Sequence, residues 1–198
     1  MDIKAYHSKK KDLQVKLNSF KSISDEQQFH EFLFCLLTPQ SNAQKCWSAV
    51  EELIKLDKPT LGKVTTILKS RTRFHNTKAK RIMNAYKIWP EIKTIIKTHQ
   101  GDTKDLRNLI SEKVNGYGLK EAGHFLRNIG KSNNKIAILD RHIIRHMESN
   151  NIKVDKIKNY NHYLALEEQY LNFAQQLKIP ADELDMFWWS QENGEIFK

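Results

Sequence analysis

The spacing of apolar side chains along the chain is the feature that most limits its fold. Ser24 and Gln27 form a capping-box signature, and Phe29, Phe32, Leu33 and Leu36 follow at helical intervals, which predicts a helix ending near Pro39. Ser41 and Gln44 repeat the signature before Ala43, Trp47, Val50 and Ile54, the expected buried face of a second helix that closes before Lys58-Pro59. Leu61, Val64, Ile67 and Leu68 make a third amphipathic stretch. Asn76 is placed to cap a helix carrying Ala79, Ile82, Met83 and Tyr86, which Pro90 is expected to break or kink. The same period returns at Leu106, Leu109 and Ile110, at Leu119, Ala122, Leu126 and Ile129, and at Tyr163, Leu166, Tyr170, Phe173 and Leu177 before Pro180. A last helix runs toward Gly194 as its C-cap. No alternating run is long enough for a strand and no repeat interrupts the pattern, so the expected class is all-α.

Between two of these stretches lies Gly116-Tyr117-Gly118. Glycines permit backbone angles that other residues resist, so the amides of this turn and of the following helix start can point outward together. Such amides bind phosphate oxygens, and the helix N-terminus adds partial positive charge. Lys113, Lys120 and Arg127 bring full charges nearby, within a chain of 33 Lys plus Arg against 23 Asp plus Glu, net +10. A polyanionic partner suits that balance.

Lys120 falls in the first turn of its helix, where the dipole disfavours a cation. The field there favours the neutral amine, the form that attacks carbon, although a solvated or phosphate-contacting lysine is the commoner explanation for such a residue. Farther on, the apolar run Ile136-Ala137-Ile138-Leu139 delivers Asp140 to a helical start. As an N-cap it would contribute about 1 kcal/mol. A carboxylate at a cleft could also stabilise positive charge on a sugar whose base departs.

The remaining features narrow the class. Cys35 and Cys46 are the two cysteines and both lie in apolar helical stretches, which argues against a secreted disulfide framework. Residues 1–16 have no apolar signal-peptide core and no long apolar run follows, so an intracellular protein with no membrane association is expected. His142 and His146 stand four apart on one helix, yet without the acidic residue of the metalloprotease pattern, and no metal is expected. Arg141 and Arg145 could contact phosphate or face solvent, while Met83 and Met186 read as core.

These residues resemble a known group. Gly116-Tyr117-Gly118-Leu119-Lys120-Glu121-Ala122, followed by Leu139-Asp140-Arg141-His142-Ile143, is similar to the helix-hairpin-helix DNA glycosylase signature. Two upstream segments match in the same order, from Leu36 through Pro39-Gln40 to Ala43 and from Phe74 through Lys78 to Ile82, so the resemblance spans roughly residues 24 to 150. The C-terminal third lacks the clustered cysteines of endonuclease III-like members. That absence, the segment from Phe125 to Gly130 and the ending from Trp188-Trp189 to Lys198 resemble the compact, largely archaeal type of 8-oxoguanine DNA glycosylase/lyase.

The resemblance implies a bifunctional enzyme that needs no cofactor, with Lys120 as nucleophile and Asp140 as its partner. It further implies that Phe74, Trp189 and Lys198 read the flipped purine, with Phe187 or Trp188 as competitors for the position given to Trp189. Gln40 is the residue implied to fill the gap in the duplex, with Gly116, Gly118, Arg127 and Arg141 as further DNA contacts. The expected organisation is one unit of residues 1–198 in two helical lobes around a cleft. Lobe one covers about 31–139 and ends with the hairpin 103–130; lobe two covers about 1–30 plus 140–198. A monomer acting on double-stranded DNA containing oxidised guanine, in the cytoplasm or nucleoid, is the expected context. A glycosylase for another oxidised base and a non-catalytic DNA-binding module remain the alternatives.

Overall fold

The structure, a computed structural model, describes residues 1–198 apart from the side chain of Asn193. Among the described residues there are ten helices and no strand. They are α1 (Ile3–Phe20), α2 (Asp25–Leu37), α3 (Ala43–Leu53), α4 (Leu61–Lys69), α5 (His75–Thr98), α6 (Thr103–Lys113), α7 (Leu119–Asn128), α8 (Arg141–Ser149), α9 (Tyr160–Gln176) and α10 (Ala181–Asn193). No described helix is long and apolar enough to cross a membrane. The chain divides into two compact units, Ile23–Phe125 and Met1–Ser22 with Leu126–Lys198.

In the Ile23–Phe125 unit, α2 is the central element, with every residue from Glu31 to Leu37 buried. Its capping box forms as the sequence predicts. α5 packs along α2 and α4 and touches α6. An aromatic cluster of Phe29, Phe32, Trp89, Tyr117 and Phe125 fills the space beside α2, and the Tyr117 hydroxyl donates to the Phe32 carbonyl at 2.7 Å. That bond lets the ring sink into the core with its polar end satisfied, which fixes the hairpin turn to α2. Cys35 and Cys46 are buried thiols outside any disulfide.

Three expectations, the cap of α3, its buried face and the cap of α5, fail here for local reasons. α3 is capped by Asn42, whose side chain accepts the Lys45 N–H, because the Ser41 hydroxyl is engaged elsewhere. The buried face of α3 accordingly runs through Ala43, Cys46, Val50 and Leu53, leaving Ile54 38% exposed. Phe74, and not Asn76, precedes the first residue of α5, in a left-handed conformation with no side-chain cap. α5 then runs on through Pro90. The ring lies on an exposed face, while buried Ile82, Ala85, Ile92 and Ile96 anchor the helix on both sides of the lost hydrogen bond.

In the other unit, α10 is the central element and α1, α8 and α9 pack on it. Phe187 and Trp188 are fully buried in its core together with Tyr6 and Tyr170. The Arg127 guanidinium is ion-paired with Asp185, both side chains being buried. Burial pushes the Asp185 carboxyl above its ordinary range, against the pull of that arginine. α1 was not foreshadowed by the sequence pattern, since its buried residues are only Tyr6, Leu13 and Phe20, seven apart on a charged helix. Gly194 closes α10 in the left-handed conformation, as its position predicts.

Candidate active site

The hairpin joins α6 to α7 through residues 114–118. Gly116 has φ 101°, a conformation that side-chain-bearing residues rarely adopt, so the turn itself favours glycine there; an added Cβ would meet only the movable end of the Arg81 side chain. Gly118 has no left-handed φ. Its N–H donates to Glu121 Oε2 at 3.1 Å, while the Tyr117 N–H closes the turn onto the Val114 carbonyl at 3.0 Å. The turn amides do not all point outward, as the glycines alone suggested; two are spent inside the turn.

Lys120 follows in the first turn of α7 with its side chain 27% exposed, and its Nζ lies 2.8 Å from Glu121 Oε1. One carboxylate therefore spans the hairpin amide and the lysine. An acid in the first turn favours the helix dipole and offsets the unfavourable placement of the neighbouring cation. The sequence reading of Lys120 does not include Glu121; a carboxylate three residues past Gly118, at capping-box spacing, is the signal that points to it.

Two exposed side chains in this unit stand on strained backbone. Gln40 has φ 54° and Phe74 φ 57°, and Phe74 is 57% exposed. For bulky residues this region costs about 1 kcal/mol or more, so such conformations persist only where surrounding contacts impose them. The contacts are Lys78 and Ser41. The Lys78 ammonium donates to the Leu37 and Pro39 carbonyls at 2.7 and 2.8 Å and to Ser41 Oγ at 2.8 Å, and Ser41 Oγ accepts the Arg73 N–H at 2.9 Å. The segments that carry Gln40 and Phe74 are thereby joined.

Asp140 belongs to the other unit and is the N-cap of α8. The run before it, residues 136–139, is buried without strand partners, so its polar groups must find side chains. The Ala137 N–H donates to Glu167 at 2.8 Å, the Tyr163 hydroxyl donates to the Ala137 carbonyl at 2.7 Å, and the Leu139 N–H reaches the same hydroxyl at 3.4 Å. α9 thus holds the segment that ends in Asp140. The carboxylate itself has three donors: His142 N–H at 2.8 Å and Ile143 N–H at 2.9 Å on Oδ1, and Trp189 Nε1 at 3.0 Å on Oδ2.

The structure separates the three candidate aromatic residues of α10. Phe187 and Trp188 are 0% exposed, whereas Trp189 is partly exposed and bonded to Asp140. Trp188 stacks on His146 with planes 10° apart, and burial there pushes the His146 imidazole below its ordinary value. His142 and His146 both turn toward Glu192. Among the described residues no three His, Cys, Asp or Glu side chains gather as a metal site would require. Lys198 is half-buried and Arg141 is exposed. Arg127 does not face solvent as a DNA contact would: its guanidinium is 3% exposed and bonded to Asp185 and Asn128.

Comparison with known proteins places this geometry. A family model described as 8-oxoguanine DNA glycosylase matches residues 11–179. A protein of Fusobacterium nucleatum named 8-oxoguanine DNA glycosylase/AP lyase is 34% identical, covering 98% of this chain and 95% of its own. A protein of the same name from Methanocaldococcus jannaschii is 30% identical over 91% of this chain and 87% of its own. Among solved structures, the Methanocaldococcus jannaschii 8-oxoguanine glycosylase/lyase in complex with a 15mer DNA containing 8-oxoguanine superposes with a TM-score of 0.86 at 28% identity, covering 99% of both chains. The 8-oxoguanine DNA glycosylase of Thermotoga maritima gives a TM-score of 0.87 at 26% identity, over 98% of this chain and 95% of that one. With its hairpin, its helix-borne lysine and these matches along nearly its whole length, the chain belongs to the 8-oxoguanine DNA glycosylase family.

Proposed function

We propose that this chain is a bifunctional DNA glycosylase/AP lyase of base excision repair. It removes 8-oxoguanine from duplex DNA and cleaves the strand 3′ to the resulting abasic site. The observation that carries the reading is Lys120, a half-buried amine in the first turn after the hairpin, held beside Glu121. It works as a monomer inside the cell, where its substrate lies, and the net charge of +10 draws it to the phosphate backbone.

The chemistry follows from an amine and a carboxylate. The neutral Lys120 amine attacks the anomeric carbon while the bond to the base breaks, and Asp140 stabilises the positive charge that develops on the sugar. The adduct opens to an iminium. That iminium makes the neighbouring sugar proton acidic, and its loss expels the 3′ phosphate by β-elimination. The three N–H donors on Asp140 fix the carboxylate's orientation, so little reorganisation is needed as charge appears. Phe74 and Trp189 offer aromatic faces to an extruded purine, which offsets part of the few kcal/mol that unstacking costs. Gln40, exposed at the tip of its loop, fills the gap left in the duplex, and Arg141 contacts phosphate. The hairpin contributes Gly116, which lets the turn form, and Gly118, whose amide a phosphate would share with Glu121.

Lys120→Gln keeps helix propensity but cannot form an imine. The expected outcome is loss of both 8-oxoguanine release and borohydride-dependent covalent trapping, with an unchanged melting temperature; retained trapping would place the nucleophile elsewhere. Asp140→Asn keeps one oxygen for the α8 amides but turns an NH2 toward Trp189 Nε1 in place of the acceptor that now receives it. Urea denaturation should register roughly 1 kcal/mol of destabilisation, while single-turnover excision drops by orders of magnitude; an excision loss no larger than the stability loss would reduce Asp140 to a cap.

Lys198 is half-buried and carries a side-chain ammonium. Guanine and its 8-oxo form differ in the donors and acceptors they present at N7 and C8, so a charged residue that meets that edge is suited to tell them apart. Removal of Lys198 should lower 8-oxoguanine excision far more than trapping on a preformed abasic site, where no base remains to be read. Equal losses on the two substrates would show that the residue does not recognise the base.

A further inference from the structure

Lys78 stands where two electrostatic costs coincide. It lies in the first turn of α5, where the helix dipole disfavours a cation, and it is only 2% exposed. Burial pushes its amine down to about 8; Arg81, Lys120 and Arg73 add to that shift and Cys46 opposes it. The compensation is three acceptors converging on one Nζ, the Leu37 and Pro39 carbonyls and the Ser41 hydroxyl, at 2.7 to 2.8 Å.

Leu37 is the last residue of α2, so the ammonium also completes the C-terminal end of that helix, where a cation is favoured. Ser41 Oγ takes the Arg73 N–H as well, so one hydroxyl links the backbone next to Phe74 to the loop that carries Gln40. An apolar side chain could fill the same space, but only directional hydrogen bonds fix the angle between two segments as well as their separation. What lies on either side of this knot is not core: Gln40 and Phe74 are both exposed, and both have left-handed backbone.

We propose that Lys78, acting through Ser41, is a positioning residue for base extrusion. It holds the Gln40 loop and Phe74 in one fixed relation, so that one side chain enters the duplex as the other receives the displaced purine. The inference rests on the assignment of Gln40 and Phe74 to DNA made under the proposed function.

The test compares Lys78→Met and Ser41→Ala with Phe74→Ala, after thermal melts establish that each variant is folded. Two rates are measured at single turnover: excision from a duplex with one 8-oxoguanine, and borohydride trapping on a single-stranded oligonucleotide with a preformed abasic site. The second substrate has no gap to fill and no base to stack. A 2-aminopurine beside the lesion reports extrusion as a rise in fluorescence. Ser41→Ala and Lys78→Met are expected to slow excision and the fluorescence rise by at least about tenfold while trapping stays within about twofold of the parent. Should Lys78→Met fail to fold, Ser41→Ala carries the test alone. The proposal is overturned if excision and trapping fall together, or if Phe74→Ala slows excision and Ser41→Ala does not. If Phe74→Ala leaves excision unchanged, the assignment of Phe74 fails and this proposal fails with it.

Discussion

Buried backbone and buried charge must find partners inside the protein, and without a sheet ladder this chain meets that requirement with side chains. Residues 136–139 are buried outside any helix and depend on Tyr163 and Glu167 of α9 for their hydrogen bonds. If those two side chains were lost, the segment would need water or a strand, and the carboxylate at its end would lose its bearing. Lys78 plays the corresponding part in the other unit, where the end of α2 and the loop after it share one ammonium. In both units a residue assigned to chemistry or to DNA sits at the end of a segment whose backbone is satisfied from a neighbouring helix.

That arrangement explains how much the sequence disclosed. A stripe of apolar residues at helical spacing is a local property, so α2, α4, α6, α7, α9 and α10 could be read directly. α1 could not, because three buried residues spaced seven apart leave most of its surface charged. The cap of α3 lies one residue past Ser41 because the competing use of Ser41 comes from residues 73 and 78, more than thirty positions away. Asp140 was legible as a cap because N-caps are local.

The site residues divide in the same way. Lys120 and Asp140 stood out by their positions at helix starts, which the structure reproduces. Arg127 reads as available because it lies on the helix that follows the hairpin, yet its partner Asp185 is 58 residues distant and the pair is buried. Among three successive aromatic residues no rule of sequence could choose; burial does, enclosing Phe187 and Trp188 and leaving Trp189 against Asp140. Lys78 gave no sign of its role beyond lying in a matched segment, since a lysine's value depends on which carbonyls reach it.

The central claim is that one particular amine, Lys120, forms the bond to the sugar. Several other amines could form adventitious imines, including Lys78, Lys198 and the N-terminus of Met1. Mapping the site of covalent attachment distinguishes them: the wild-type protein is trapped with borohydride on 8-oxoguanine duplex, digested, and its DNA-linked peptide sequenced by mass spectrometry. The account predicts that the sugar remnant is carried by Lys120 alone. Attachment at Lys78, Lys198, Met1 or any other amine would contradict it.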